Sequence, residues 1–173
     1  GHSVYKLTAG GDVLMHLGTK DVSGDGRHTF NLPTDVAFAP NGDIYVSDGY
    51  GNARVVKFSG DGQYILEWGS RGTGPGEFGL PHGVGVDAQG RVYVVDRDNR
   101  RVQVFNADGG FLDQWTDLDG VQTVFVTDDQ QIWTGSTLRN LDGSSAAELP
   151  GGAGGHGMTV ANDGGVFVAQ LSG

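Results

Sequence analysis

Residues 80–115 read LPHGVGVDAQGRVYVVDRDNRRVQVFNADGGFLDQW, and this stretch decides the fold. It holds four short segments rich in valine and aromatic residues, at 83–86, 91–95, 101–105 and 111–115, and each gap between them contains glycine or asparagine. β-branched and aromatic residues favour strands, and tight turns of this composition join antiparallel neighbours. The stretch therefore predicts an all-β fold in which four antiparallel strands form one blade of a β-propeller.

The same order of strands and turns recurs along the chain. Residues 31–69 repeat it segment by segment, and residues 120–150 repeat it with a weaker second half. The equivalent first strands begin at Thr34, His82, Gln122 and His156. After His156 only two strands fit, whereas residues 1–18 contain a third and a fourth strand. The sequence thus predicts one domain, 1–173, with four blades at 31–69, 79–116, 120–150 and 154–173 plus 1–18.

The fourth predicted blade is built from both ends of the chain. The spacing from Gln170 to Val4 across the joined ends matches the spacing from Asp48 to Val55, which favours closure within one chain. Closure leaves no open sheet edge. Two alternatives stay open: the chain is a fragment of a larger propeller, or it completes the split blade in a strand-exchanged oligomer. We therefore expect a monomer or a strand-exchanged dimer.

Composition restricts the classes of partner. The 173 residues include 11 basic and 21 acidic side chains, which gives a net charge of −10, and 32 glycines but no cysteine. A strongly acidic chain disfavours nucleic acid and anionic membrane surfaces, which both attract basic faces. No apolar run is long enough for a membrane helix, and no signal pattern is visible. We expect a soluble chain without a nucleic-acid or membrane partner. Its localisation stays open, because secreted and periplasmic proteins lose their signal.

Several short sequence motifs identify the chain as similar to NHL-repeat propellers. Within that class it most resembles the peptidyl-α-hydroxyglycine α-amidating lyase (peptidylamidoglycolate lyase) domain of peptide-amidating enzymes. The resemblance implies a six-bladed relative that binds zinc through three axial histidines. The words that carry it are Trp68-Gly69, Gly74-Pro75-Gly76-Glu77-Phe78, Leu80-Pro81-His82-Gly83-Val84, Pro33-Thr34-Asp35-Val36-Ala37, Val46-Ser47-Asp48-Gly49-Tyr50 and Asp96-Arg97-Asp98-Asn99.

The resemblance also implies four site residues. His82 and His156 fall on zinc-ligand positions, and Tyr50 and Arg97 fall on substrate-contacting, catalytic positions. The blade that carries the family's first histidine, and a further catalytic arginine, would lie before Gly1 and is absent from this sequence.

Two further family features are changed in this chain. The family word Met-Pro-His-Asp is replaced by residues 154–157, Gly-Gly-His-Gly, and the lost acidic residue is one tied to calcium. Calcium is therefore not expected as a cofactor. The resemblance places two family cysteines, which pair with each other, at Asn31 and Gly51. Both cysteines of that disulfide are therefore replaced in this chain.

The residues themselves allow a metal site at the channel mouth. In a four-bladed ring the second and fourth axial residues face each other, so His82 and His156 would meet across the axis. Two imidazoles with nearby oxygen ligands can hold a divalent ion such as zinc. Alternatively, both histidines bond only to water or backbone. Tyr50 could serve as a general base or hydrogen-bond donor beside Arg97, which could clamp a carboxylate, or both could be structural.

Two functions follow as hypotheses. The first is a non-catalytic scaffold that binds a protein or peptide at one mouth of the propeller, because loops vary freely on a rigid ring. The alternative is a zinc-dependent lyase that acts on peptidyl-α-hydroxyglycine or a similar small polar substrate, with metal at His82 and His156.

Overall fold

The fold is all-β. The computed structural model describes residues 1–150, 155–161 and 163–169, and within these residues its regular secondary structure consists of 18 strands. No helix in the described part is long and apolar enough to cross a membrane. The all-β prediction is therefore confirmed.

Antiparallel sheets follow one another along the chain, and a first pair of strands precedes the complete ones. The pair consists of β1 (Ser3–Leu7) and β2 (Val13–Gly18). Blade 1 consists of β3 (Asp35–Phe38), β4 (Ile44–Asp48), β5 (Arg54–Phe58) and β6 (Tyr64–Trp68). The linker after blade 1 contains a short parallel pair, β7 (Ser70–Arg71) and β8 (Glu77–Phe78), which the sequence did not predict.

Two further complete blades and a last pair of strands follow. Blade 2 consists of β9 (Pro81–Val86), β10 (Val92–Asp96), β11 (Arg101–Phe105) and β12 (Phe111–Trp115). Blade 3 consists of β13 (Val124–Val126), β14 (Ile132–Thr134), β15 (Thr137–Arg139) and β16 (Ser145–Glu148). The last pair is β17 (Gly157–Val160) and β18 (Val166–Ala169). In each blade the strands pair in chain order, which confirms the predicted four-stranded antiparallel blades.

Neighbouring sheets stack face to face through three buried apolar clusters. The first cluster joins the β1–β2 sheet to blade 1, the second joins blades 1 and 2, and the third joins blades 2 and 3. The pairs Leu17 and Phe58, Val55 and Val92, and Val102 and Val124 are representative members. Full burial of one such side chain contributes about 1.5–3 kcal/mol. This stacking sets the order of blades around the channel.

A tryptophan at the end of the fourth strand in blades 1 and 2 adds a second contact between blades. Trp68 of blade 1 lies against Gly109 in a turn of blade 2, and Trp115 of blade 2 lies against Gly143 in a turn of blade 3. The absence of a side chain at each glycine lets the indole ring approach the backbone closely. The two tryptophans thus serve the packing role that strand-end residues commonly have.

In blades 1 and 2, an arginine on the third strand fixes the linker that leads into its own blade. Arg101 donates to the buried Asp96 carboxylate at 2.9 Å and to carbonyl oxygens of Thr73, Gly74 and Glu77. Arg54 binds Asp48 and the carbonyls of residues 25, 26 and 29 in the same way. A guanidinium presents five N–H donors in a rigid fork, which suits this role. Both arginines are therefore structural.

The fourth blade is not closed in this structure. The β1–β2 and β17–β18 pairs are separate sheets, and no backbone pairing joins β18 to β1 within residues 1–150, 155–161 and 163–169. Each pair instead packs against its neighbour in the chain, β1–β2 on blade 1 and β17 beside β13 of blade 3. The predicted closure from both termini is therefore not seen among the described residues, and the separate pairs agree with the alternative of a fragment of a larger propeller. Residues 154 and 170–173 of that predicted blade lie outside the described residues.

Candidate functional site

The second residue of β9, His82, lies at the centre of the candidate site. Its ring is buried, with Nδ1 2.7 Å from the backbone oxygen of Gln122 and Nε2 3.1 Å from the Tyr50 hydroxyl. A carbonyl oxygen can only accept, so Nδ1 carries the proton and donates it. The Nε2 lone pair consequently faces Tyr50 and accepts its hydroxyl hydrogen. A histidine oriented by a backbone carbonyl in this way is typical of metal ligands.

Tyr50 reaches His82 because the preceding residue is glycine. A Cβ atom built on Gly49 would lie 1.9 Å from the carbonyl oxygen of Pro81, the residue before His82. Only a residue without a side chain permits this approach of the two backbones. The Tyr50 side chain itself is 46% exposed, so its ring also faces solvent at the channel mouth. The close approach therefore places an accessible phenol beside a buried imidazole.

Arg97 covers the other side of Tyr50. Its guanidinium carbon lies 5.8 Å from the centre of the Tyr50 ring, within the range of a cation–π contact. Its Nε donates to Asp98 at 3.1 Å, and the arginine side chain is 32% exposed. A partly exposed guanidinium of this kind can bind a carboxylate from solvent.

His156 completes the cluster from the β17–β18 sheet. Its ring centre lies 4.9 Å from that of His82, and the two rings meet edge to face at 83°. The residue immediately precedes β17 and is held there by its backbone N–H, which donates to Ala169 at 2.8 Å. The structure thus brings together all four predicted site residues, Tyr50, His82, Arg97 and His156.

The surroundings keep His82 neutral at neutral pH. Burial is the largest cause that lowers the pKa of His82, and the nearby charges of Arg97 and His156 lower it further. The hydrogen bond to the Gln122 carbonyl and the Asp98 charge act in the opposite direction. A neutral imidazole is the form that accepts a hydrogen bond or binds a metal.

The donor set fits part of a zinc site. Zinc binds imidazole nitrogen, and the unprotonated Nε2 of His82, which would exchange its bond from Tyr50 for the metal, and the adjacent ring of His156 supply two such donors. Thr34 is not available as a third, since its hydroxyl lies 2.8 Å from both the Ser47 hydroxyl and the Pro81 carbonyl oxygen. Among residues 1–150, 155–161 and 163–169, no group of three His, Cys, Asp or Glu side chains forms a metal-binding cluster.

Residues 21–26, Asp-Val-Ser-Gly-Asp-Gly, superficially resemble a calcium loop but have another role. The carbonyl oxygens of Asp25 and Gly26 both accept from the Arg54 guanidinium. A bound cation at these oxygens would lie against a fixed positive charge. This arrangement gives a physical reason to expect no calcium at this segment.

Comparison with known proteins agrees with the architecture. A family model described as a 6-bladed beta-propeller matches residues 31–145, which include blades 1 and 2 and most of blade 3. The chain belongs to this 6-bladed β-propeller family. The larger-propeller alternative from the sequence agrees with that family, whereas a closed four-bladed ring does not.

Two relatives to which this chain is similar are an NHL-repeat protein and a probable amidating lyase. NHL repeat-containing protein 3 of Homo sapiens is 39% identical over 158 residues, which cover 87% of this chain and 45% of the relative. A probable peptidyl-α-hydroxyglycine α-amidating lyase of Caenorhabditis elegans is 31% identical over 194 residues, which cover 98% of this chain and 55% of the relative. The resemblance inferred from the sequence is thus confirmed. The chain spans about half the length of these relatives.

A solved structure shares the propeller fold at low sequence identity. The virginiamycin B lyase from Staphylococcus aureus superposes with a TM-score of 0.66 and 14% identity, over 98% of this chain and 56% of that one. At this identity the similarity concerns the fold alone.

Two contributions to the site of this β-propeller were missed by the sequence interpretation. The Gln122 carbonyl fixes the orientation of His82, and Gly49 allows Tyr50 to approach it. The position of Gln122 in the repeat was visible in the sequence, but a backbone hydrogen bond leaves no signal in residue type. Gly49 belonged to a quoted motif, and its place directly before Tyr50 in that motif was the available signal.

Proposed function

We propose that this chain forms the substrate-binding mouth of a zinc-dependent lyase that cleaves peptidyl-α-hydroxyglycine or a similar small polar substrate. The observation that carries the proposal is the 3.1 Å contact between the Tyr50 hydroxyl and His82 Nε2, with Arg97 and His156 adjacent. The relative from Caenorhabditis elegans carries this activity in its name, at 31% identity.

His82 and His156 are the residues that would hold the metal. Their imidazole rings are in contact, and His82 is held as the tautomer with an unprotonated Nε2. A zinc ion there supplies Lewis-acid polarisation of a substrate oxygen.

Arg97 and Tyr50 are the residues that would act on the organic part of the substrate. In an α-hydroxyglycine the carbon–nitrogen bond breaks, the hydroxyl loses its proton as the carbonyl forms, and the leaving amide nitrogen gains a proton. The Arg97 guanidinium is placed to bind the substrate carboxylate. The Tyr50 hydroxyl, which donates to His82 in the free protein, is placed to exchange a proton with a substrate oxygen.

Cleavage of a synthetic N-acyl-α-hydroxyglycine tests the activity, with glyoxylate release as the readout. We expect turnover with zinc-loaded protein purified without a metal-affinity tag. Tyr50→Phe should lower kcat by about 100-fold or more, the usual contribution of proton-transfer catalysis. Tyr5→Phe is the matched control, because Tyr5 lies on β1 and stacks on His16 away from the site. Equal rates in the two variants would remove Tyr50 from the mechanism.

A non-catalytic scaffold that binds a peptide or protein at the same mouth is the second candidate. The observation in its favour is that no third His, Cys, Asp or Glu joins His82 and His156 within the described residues. Zinc analysis separates the two functions. Protein that takes up zinc stoichiometrically, and loses it in His82→Ala, supports the lyase, whereas protein that binds no zinc and releases no glyoxylate supports the scaffold.

A further inference from the structure

A buried side-chain oxygen of Gln122, the residue whose carbonyl orients His82, has no hydrogen-bond partner among the described residues. The Oε1 atom of Gln122 is shielded from solvent and bonds to nothing within the part of the chain that the structure describes. A buried acceptor without a partner lowers stability, and the great majority of such groups in proteins are satisfied. The other atoms of this kind in the same residues are the indole nitrogens of Trp68 and Trp115, which lie at blade edges. Gln122 alone lies at the site.

The register of the blades gives Gln122 the same position as His82. In blade 2, Val84 pairs with Val94, and in blade 3, Val124 pairs with Thr134 in the equivalent place. His82 and Gln122 each precede these paired residues by two positions. By register, Gln122 therefore holds the equivalent position in the blade between those that carry His82 and His156. Gln122 precedes β13 and β9 changes register at His82, so the contact of the Gln122 carbonyl with His82, and not alternation along a strand, shows that the two residues are neighbours.

Gln122 is already linked to the histidine pair through its main chain. Its carbonyl oxygen accepts from His82 Nδ1 at 2.7 Å, and His82 in turn contacts the ring of His156. The three residues thus form one connected group, in which only the Gln122 side-chain oxygen lacks a role.

We propose that Gln122 Oε1 is the third protein donor of the metal site formed with His82 and His156. This inference rests on the proposed function, since it concerns the same metal. Amide oxygens serve as ligands of divalent ions in proteins, and zinc accepts mixed nitrogen and oxygen donors. The unpaired acceptor is then satisfied when the ion binds.

Zinc affinity tests the proposal without any activity assay. Competition with a chromogenic chelator measures the zinc dissociation constant of wild type, Gln122→Leu and Gln122→Glu. We expect Gln122→Leu to weaken zinc binding by about 10-fold to 100-fold, the range found even for residues that only support metal ligands. Gln122→Glu keeps an oxygen at the same reach and adds a negative charge, so it should bind zinc at least as tightly as wild type. The visible spectrum of the cobalt-substituted protein should change in both variants.

Matched substitutions at Gln63 provide the control, because this residue is exposed in a turn of blade 1. Gln63→Leu and Gln63→Glu should leave both the affinity and the cobalt spectrum unchanged. The metal-free Gln122→Leu protein should melt at the wild-type temperature or above it, because it loses only an unsatisfied acceptor.

Two results overturn the inference, and they are distinguishable. If wild type binds zinc, His82→Ala abolishes binding and Gln122→Leu binds like wild type, then Gln122 is not a ligand while the proposed function stands. If wild type binds no zinc at all, the assignment of Gln122 as a ligand and the proposed lyase function fail together.

Discussion

Replacing Asn31 and Gly51 by cysteine should create a disulfide that clamps the two sides of blade 1. The backbone N–H of Gly51 donates to the Asn31 carbonyl at 2.9 Å, and a Cβ atom on Gly51 would lie 2.1 Å from Asn31 Cγ. The two Cβ atoms are therefore at most about 3.6 Å apart, close to the separation that a disulfide spans. The resemblance to amidating lyases pairs two cysteines at these same positions, so the chain should accept the bond.

The stabilisation can be worked from the length of the closed loop. A crosslink between positions 31 and 51 closes about 20 residues, for which loop entropy predicts about 3 kcal/mol at 25 °C. For a chain of this size 1 kcal/mol raises Tm by about 2–4 °C, so the oxidised double variant should melt about 10 °C above its reduced form. Gly51→Cys alone should be destabilising by about 1–3 kcal/mol, because its side chain collides with Asn31.

Thermal unfolding followed by circular dichroism, with and without reductant, measures both effects. Thiol titration of the double variant first establishes that the bond has formed. Asn31→Cys alone is the control, since it has a cysteine at position 31 but no second cysteine with which to form a crosslink. Free thiols that persist under oxidising conditions would refute the proximity of the two residues, and a bond that forms without raising Tm would refute the entropic estimate.

Three other substitutions or conditions probe the fold and the site. Gly49→Ala forces a side chain to 1.9 Å from a carbonyl oxygen of blade 2 and should cost about 1–3 kcal/mol in urea unfolding, whereas Gly10→Ala, whose Cβ would have ordinary contacts, should be neutral. Arg101→Met leaves the buried Asp96 carboxylate without its guanidinium partner and should lower the free energy of unfolding by about 3–5 kcal/mol. The exposed Arg100→Met should lower it by only about 0–1 kcal/mol, and equal losses would contradict a structural role for Arg101. Because the pKa of His82 is lowered on folding, the unfolded state takes up a proton more readily below about pH 6.5, so stability present above that pH is lost as pH falls. Tm measured from pH 7 to pH 5 should fall more steeply in wild type than in His82→Gln, and parallel curves would argue against the shift.

Residues that repeat along the chain were the predictable part of the fold. Asp48 and Asp96 end equivalent strands, and each accepts backbone N–H groups at the start of its own blade. Their recurrence at one spacing was enough to predict an acceptor role at a turn. The four-stranded blades were predictable for the same reason, since a local pattern of strands and turns recurs within about 40 residues.

Closure was not predictable, because it depends on how blades stack rather than on how strands pair. The spacing across the joined ends was compatible with one blade, but spacing cannot report the angle between successive sheets. That angle is set by the packing of side chains such as Phe58 and Val124 in the clusters between blades. Sequence repeats therefore predict the structure of one blade more firmly than the number of blades in the ring.

The candidate site lies where the repeat is interrupted. At one axial position the successive blades carry Thr34, His82, Gln122 and His156, and only the threonine is fully engaged by neighbouring strands. After the repeated aspartate, blade 1 continues with Gly49-Tyr50, whereas blade 2 continues with Arg97.

Packing alone would favour the same side chain at equivalent positions of similar blades, as it does for the fourth-strand tryptophans of blades 1 and 2. The divergent residues instead form one group of neighbours, which contains an unprotonated imidazole nitrogen that accepts from an exposed phenol, and a buried oxygen without a partner. Blades 1 and 2 share their aspartate, arginine and tryptophan supports and differ at this mouth, which is the variation expected of the proposed site because packing does not require it.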